Sequence, residues 1–266
     1  MYAFEYARPA TLKDAASALR KSPDAKLLAG GQSLVQALKL RLARVPALVD
    51  LGAIGELVGI SVNNNAISIG AMTRHADVAS SREVRRAIPA LARLAGGIGD
   101  RLVRNLGTLG GSIANADPGA DYPAAVVGLA ATVVTNRREI PADKFFTGLF
   151  ETALKPGEII TRVDFPVPLR AGYAKFRNPA SRFALVGVFV CDTSSGVRVA
   201  VTGAGPCVFR LKKMERTLAK DFSAKAIEKF VHPAEGLNSD LHAAADYRAH
   251  LITVMAQRAV EAAAKI

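Results

Sequence analysis

The sequence is poor in the residues that hold metals. It has two cysteines, Cys191 and Cys207, with no C-x-x-C pair and no histidine beside either, which argues against a zinc site or an iron-sulfur cluster within this chain. The four histidines, His75, His232, His242 and His250, are scattered without H-E-x-x-H spacing, so ordinary core or surface roles are expected of them. Tryptophan is absent and only 6% of residues are aromatic, which leaves no aromatic-rich motif for stacking nucleic-acid bases. Long apolar runs are missing as well. The longest strongly apolar stretch, "FALVGVFVC", falls far short of the ~20 residues that span a bilayer. The opening "MYAFEYARPATLKD" lacks the basic-then-apolar order of a signal peptide, so the expectation is a cytoplasmic protein without a membrane span.

What is present is a large core and an excess of positive charge. Half of the 266 residues are hydrophobic, enough for one large domain or two smaller ones, and the formal charge is +12. The basic residues occur in small groups, such as Arg82, Arg85 and Arg86, or Arg101 and Arg104, separated by apolar segments. Such dispersal suits solvated faces or docking surfaces for acidic partners better than a nucleic-acid groove.

Along the chain, "FEYARP", "TLKDAASALRKS" and "AKLLAGG" read as strand, helix and strand, with Thr11 as N-cap and Asp14 at the capping-box distance. Helical "VQALKLRLA" and the strand "PALVDL" complete a small α/β lobe ending near Gly55. A hairpin follows, "LVGISV" and "AISIGAM", turning at Asn63, Asn64 and Asn65. Thr73 is the expected N-cap of a helical stretch, Arg74 to Leu94, split before Pro89. "PAAVVGLAA" reads as a helix, and "TVVTN" and "EIITRVDFPVP" as strands, the last ended by its prolines. Residues 1–169 are thus expected to form one domain of two lobes, about 1–55 and 56–169, with 170–266 a separate α+β domain. In the latter, "GYAKF", "RFALVGVFVCD" and "GVRVAVTGAG" are strands, and "RLKKMERTLAKDF", "SAKAIEKFV" and "YRAHLITVMAQRAVEAAAKI" helices.

Two glycine breaks stand out, "AKLLAGGQSL" and "GTLGGSIANADPGAD". Paired glycines reach conformations closed to other residues and bring backbone N–H groups up to a ligand, which suits the charge of a pyrophosphate. Either break alone is equally compatible with a tight turn. The nearest Rossmann-like match, "GAGPCV" from Gly203 to Val208, lacks the closing Gly or Ala and leads to no second strand with a ribose-binding acid.

The blocks "LLAGGQSL", "KLRLARVPALVDL", "IGAMTRHADV", "VRNLGTLGGSIANADPGADYPAA" and "LKPGEIITRVDFP" occur in the order and spacing of the FAD-binding medium subunit of molybdenum hydroxylases. Over nearly its whole length the chain resembles the carbon monoxide dehydrogenase medium-chain type, related to the flavin domain of xanthine dehydrogenase. The resemblance implies an α+β fold: a two-lobed FAD-binding domain of the PCMH/vanillyl-alcohol-oxidase type, then a C-terminal α+β domain. It implies FAD as cofactor, with Ala29, Gly30, Gly31, Gln32, Ser33 and Leu34 at one pyrophosphate loop and Thr108, Leu109, Gly110, Gly111 and Ser112 at the other. Asp121, Ile160, Lys175 and Phe183 fall at further flavin-contact positions. From the residues alone, Asp121 could instead cap the helix near Pro123, and Lys175 could be a solvated strand lysine. Gln32 stands where histidine is common in carbon monoxide enzymes and Phe183 where relatives often carry tyrosine. The implied partners are a molybdenum-cofactor large subunit and a small subunit with 2Fe-2S clusters, assembled as a dimer of heterotrimers, with this subunit passing electrons to an external acceptor. No catalytic triad or carboxylate pair is visible. Two other readings remain open at this point: a self-contained flavin reductase or oxidase, and a non-catalytic basic binding protein that has lost the flavin.

Overall fold

A computed structural model describes residues 1–63 and 65–264. Asn64 of the expected turn and the last two residues of the expected terminal helix lie outside them. The first lobe comprises β1 (Glu5–Ala7), α1 (Leu12–Lys21), β2 (Lys26–Leu28), α2 (Leu34–Lys39) and β3 (Ala47–Asp50). Its strands pair in parallel in the order β1-β3-β2, as crossover connections require. Thr11 caps α1 by accepting from the Asp14 N–H at 3.1 Å, and the helix buries Ala15, Ala16 and Leu19.

The second lobe begins with the hairpin β4 (Ile60–Asn63) and β5 (Ala66–Gly70), in which Asn65 takes φ +68°. Six short helices follow: α3 (His75–Ser80), α4 (Arg82–Ala87), α5 (Pro89–Gly96), α6 (Arg101–Leu106), α7 (Leu109–Asn115) and α8 (Tyr122–Gly128). The strands β6 (Thr132–Thr135), β7 (Glu139–Pro141), β8 (Phe146–Gly148), β9 (Glu151–Thr152) and β10 (Ile160–Pro166) close the lobe. An antiparallel sheet runs β4-β5-β10-β6-β7, so the last strand of the lobe lies at its centre.

Local chemistry departs from the sequence expectation at several points. The 74–94 stretch breaks at Ser81 as well as before Pro89, because the Ser81 hydroxyl caps α4 by accepting from the Val84 N–H. Thr73 caps no helix. It is buried, and its hydroxyl bonds both the N–H and the carbonyl of Gly59, tying the helical region to the hairpin. The glycine break at 107–115 is itself helical from Leu109, with Thr108 as its cap, its hydroxyl accepting from Gly111 N–H at 3.1 Å.

The C-terminal unit comprises β11 (Arg170–Arg177), β12 (Ala184–Thr193), β13 (Gly196–Thr202), β14 (Phe209–Arg210), α9 (Lys212–Leu218) and α10 (Ala245–Ala264). The strands form one antiparallel sheet in chain order. β12 is buried on both faces. Val186, Val188 and Val190 pack with Met255, Ala256 and Ala259 of α10, while Phe189 and Cys191 join the core of the second lobe beside α8. The two units therefore share a hydrophobic core. The expected helix at "SAKAIEKFV" is only a single 3-10 turn, Lys225–Ile227. The Phe230 carbonyl accepts from the Thr253 hydroxyl at 2.7 Å, which ties this segment to α10. Among the described residues, no helix is long and apolar enough to cross a membrane.

Candidate functional site

The two glycine breaks meet. A β-carbon on Gly30 would lie 2.0 Å from the Leu106 carbonyl oxygen and 2.7 Å from Gly107 Cα, so only glycine lets the β2–α2 loop touch the segment entering α7. On Gly111 it would lie 3.3 Å from Ala29 Cβ, which makes this glycine the facing wall. The contact forms one end of a cleft of about 540 Å³ that lies between the lobes and reaches the β11–β12 turn.

The two loops contribute differently. Gly31 has φ +68°, and the N–H groups of Gly31, Gln32 and Ser33 donate to no other group among the described residues. They are three consecutive donors at the cleft, the kind of concavity that accepts an anion. In the second loop the Leu109, Gly110 and Ser112 N–H groups already donate to Thr73, Ala71 and Thr108 carbonyls. The amides of that loop's helical turn are thus spent within the fold, and its glycines supply a close wall, contrary to the equal amide roles that the two glycine pairs suggest.

Of the residues implied by the resemblance, Ala29, Gly30, Gly31, Gln32, Ser33, Leu34, Thr108, Gly110, Gly111, Ser112, Asp121, Ile160 and Phe183 line this cleft. Leu109 does not: its side chain is fully buried in the core of the second lobe. Lys175 does not line it either. Its ammonium lies 2.9 Å from the Asp121 carboxylate behind the cleft wall, and its side chain is only 9% exposed, so it is not a solvated strand lysine.

Asp121 makes no capping bond at α8. Its carboxylate accepts instead from the Tyr173 hydroxyl at 2.5 Å and from Lys175. Burial pushes this carboxyl up from the usual range, while the Lys175 charge and the two hydrogen bonds pull it back. Asp117, nearby, is also pushed up by burial, and its Oδ1 accepts from the Gly119 N–H in a tight turn.

Sequence reasoning missed His75, Ile98, Gly99, Val103, Phe150 and Leu154, all of which line the cleft. His75 is the most informative. It is 4% exposed, its backbone N–H donates to the Gly107 carbonyl at 3.0 Å, and its ring stands beside Tyr122 with centroids 5.3 Å apart. Its Nδ1 and the Tyr122 hydroxyl are buried without partners among the described residues. Burial, aided by the Arg104 charge, lowers the His75 imidazole to about 4, so it is neutral at pH 7. No spacing rule marks a lone histidine of this kind. The Rossmann-like "GAGPCV" is structural: Gly203, at φ +83°, packs on the Ala184 and Leu185 carbonyls, and its own carbonyl accepts from Arg248.

Residues 2–168 match the family model described as the FAD binding domain in molybdopterin dehydrogenase. The chain belongs to this family. It is 36% identical to the carbon monoxide dehydrogenase medium chain of Hydrogenophaga pseudoflava, an alignment covering 98% of this chain and 96% of that one. It is 32% identical to the glyceraldehyde dehydrogenase medium chain of Sulfolobus acidocaldarius, covering 96% of each. Among solved structures, reconstituted CO dehydrogenase from Oligotropha carboxidovorans superposes with a TM-score of 0.91 at 31% identity, over 98% of both chains. The chain is thus an FAD-binding medium subunit of the molybdenum hydroxylases, with the α+β fold of carbon monoxide dehydrogenase medium chains. The cleft fits that cofactor. The N–H groups from Gly31 to Ser33, unpaired among the described residues, suit a diphosphate, and the Cβ-free walls at Gly30 and Gly111 leave it room.

Proposed function

We propose that this chain carries FAD as the electron-transfer subunit of a molybdenum hydroxylase, receiving electrons from a 2Fe-2S small subunit and delivering them to an external acceptor while a molybdenum-cofactor large subunit oxidises the substrate. The observation that carries the proposal is the meeting of the two glycine breaks at Gly30 and Gly107 around one cleft with three unused backbone donors. When bound, FAD exchanges single electrons with iron-sulfur centres and two with an acceptor. The chain's own tasks are then to bind, orient and shield. Gly31, Gln32 and Ser33 would hold the diphosphate, Thr108, Gly110, Gly111 and Ser112 form the opposing wall, and Ile160, Asp121 and Phe183 border the remainder. On this reading residues 1–169 are the FAD-binding domain, and 170–266 supply the Phe183 edge.

Exposed apolar groups on segments that adjoin cleft-lining residues in sequence support docking to partner subunits. α6 buries none of its residues, and Leu102 and Leu106 on it are 75% and 52% exposed, beside Arg101 and Arg104. Leu40 and Leu42 at the end of α2 are similarly bare. The purified chain, mixed with the subunits encoded beside it, should form a complex, retain FAD and support dye-linked turnover that the lone chain does not show. Association with neither partner, or full turnover by the lone chain, would overturn the proposal.

A further inference from the structure

Phe183 belongs to a six-residue turn, 178–183, that joins β11 to β12 and closes on itself. Asn178 Oδ1 accepts from the Ala180 and Ser181 N–H groups, and Arg182 N–H donates to the Asn178 carbonyl at 2.9 Å. Arg182 sits at φ +62°, a left-handed conformation that arginine adopts only when held there. Its carbonyl accepts from Lys175 Nζ at 3.0 Å, and the same ammonium lies 2.9 Å from Asp121. One buried cation therefore ties the turn to the wall of the second lobe.

The turn borders two spaces. Ser181, Arg182 and Phe183 line the main cleft, while Ser181 and Phe183, like Asp117 and Phe150, also line a second cavity of about 430 Å³, with Asn178 and His242. Phe183 is 44% exposed and packs on Gly119, where a β-carbon would stand 3.2 Å from its ring. It is held by the geometry of the turn more than by burial.

We propose that Lys175 is a positioning residue for the FAD site. By holding the Asp121 carboxylate and the left-handed Arg182 carbonyl together, it keeps Ser181–Phe183 across the cleft and limits how easily a small oxidant in the second cavity reaches the cofactor. The shielding role rests on the FAD reading, whereas the latch itself does not. An uncharged side chain at 175 would leave the Arg182 carbonyl without its charge-assisted donor, and the turn would relax.

The latch is read first by hydrogen exchange of the FAD-free full chain. In Lys175→Met, the amides of 180–182 should exchange at least about tenfold faster, with the β12 core unchanged and Lys175→Arg near wild type. Because Lys175→Met strands the Asp121 charge, the double variant Asp121→Asn/Lys175→Met, which buries no lone charge, provides the same readout if the single variant does not fold. Shielding is read by acrylamide quenching of bound FAD fluorescence. Quenching should rise severalfold in Lys175→Met and in Phe183→Ala, and combining the two should add little. Unchanged exchange at 180–182 in a folded variant overturns the latch. Faster exchange with unchanged quenching, or strictly additive effects, overturns the shielding role. A wild-type chain that takes up no FAD overturns the proposed function and the shielding with it, while exchange still decides the latch.

Discussion

Gly30 and Leu106 are in backbone contact: a β-carbon on the first would stand 2.0 Å from the carbonyl oxygen of the second. Two segments remote in sequence thus form one wall, and their approach is limited by a single hydrogen atom. Gly30→Ala is expected to push the loops apart, destabilise the fold by about 1–3 kcal/mol and weaken FAD binding by at least about tenfold. Gly55, with nothing within 4 Å of an added β-carbon, is the matched control, and Gly55→Ala should be neutral. Thermal unfolding and FAD titration of both variants provide the check.

Gly31 makes a separate demand. At φ +68° any other residue is strained, and a β-carbon would also lie 2.8 Å from Val35 Cγ2. Gly31→Val should turn the Gly31–Ser33 amides out of register and abolish FAD uptake while leaving the C-terminal unit folded. Absorbance of the reconstituted variant and its circular dichroism test both halves of the expectation.

Asp121 is paired with Lys175 behind the cleft wall. Asp121→Ala leaves a buried ammonium without its counter-ion and should cost about 3–5 kcal/mol, whereas Asp121→Asn keeps an acceptor for Tyr173 and should cost less. Both should shift the potential of bound FAD by removing a negative charge at the cleft. Chemical denaturation and a redox titration separate the two effects.

His75 has its imidazole lowered by burial to about 4, against 6.5 for an exposed histidine. The folded chain therefore resists a proton that the unfolded chain accepts. Its contribution is fully present above about pH 6.5 and falls as the pH drops toward 4, by up to about 3 kcal/mol in all, with no further loss below. A His75→Phe variant should lack this slope, provided that its folded state is retained at pH 7. Denaturation midpoints between pH 4 and 7, and the NMR titration of the His75 ring, test the expectation.

Glu158 works in the opposite sense. Hydrogen bonds from Arg138, the Lys155 N–H and Thr135 hold its carboxyl near 2 despite burial. Its stabilisation is present above the ordinary carboxylate range and is lost as the pH falls from about 4.5 toward 2. Glu158→Gln should be less stable at pH 7 and should flatten the acid limb of unfolding monitored by circular dichroism.

The sequence by itself determined the family, the fold and the residues of the two glycine loops, because the blocks around them are local patterns whose order is visible in one dimension. It also showed the periodic elements: Thr11 capping α1, the β4–β5 hairpin and the apolar run of β12. Only the tertiary structure decided what those parts do together. Leu109 goes to the core although it sits inside a glycine loop, because the first turn of α7 turns this side chain into the second lobe's own core. Asp121 bonds to two residues of β11 instead of capping its own helix, since a buried carboxylate is better satisfied by an ammonium and a hydroxyl than by one N–H. His75 enters the cleft wall although the block that contains it, "IGAMTRHADV", assigns it no role. The unequal roles of the glycine loops could not be read from their shared composition. Whether a backbone N–H is available to a ligand depends on carbonyls that lie elsewhere in the chain, here those of Ala71 and Thr73, and only folding brings them within reach.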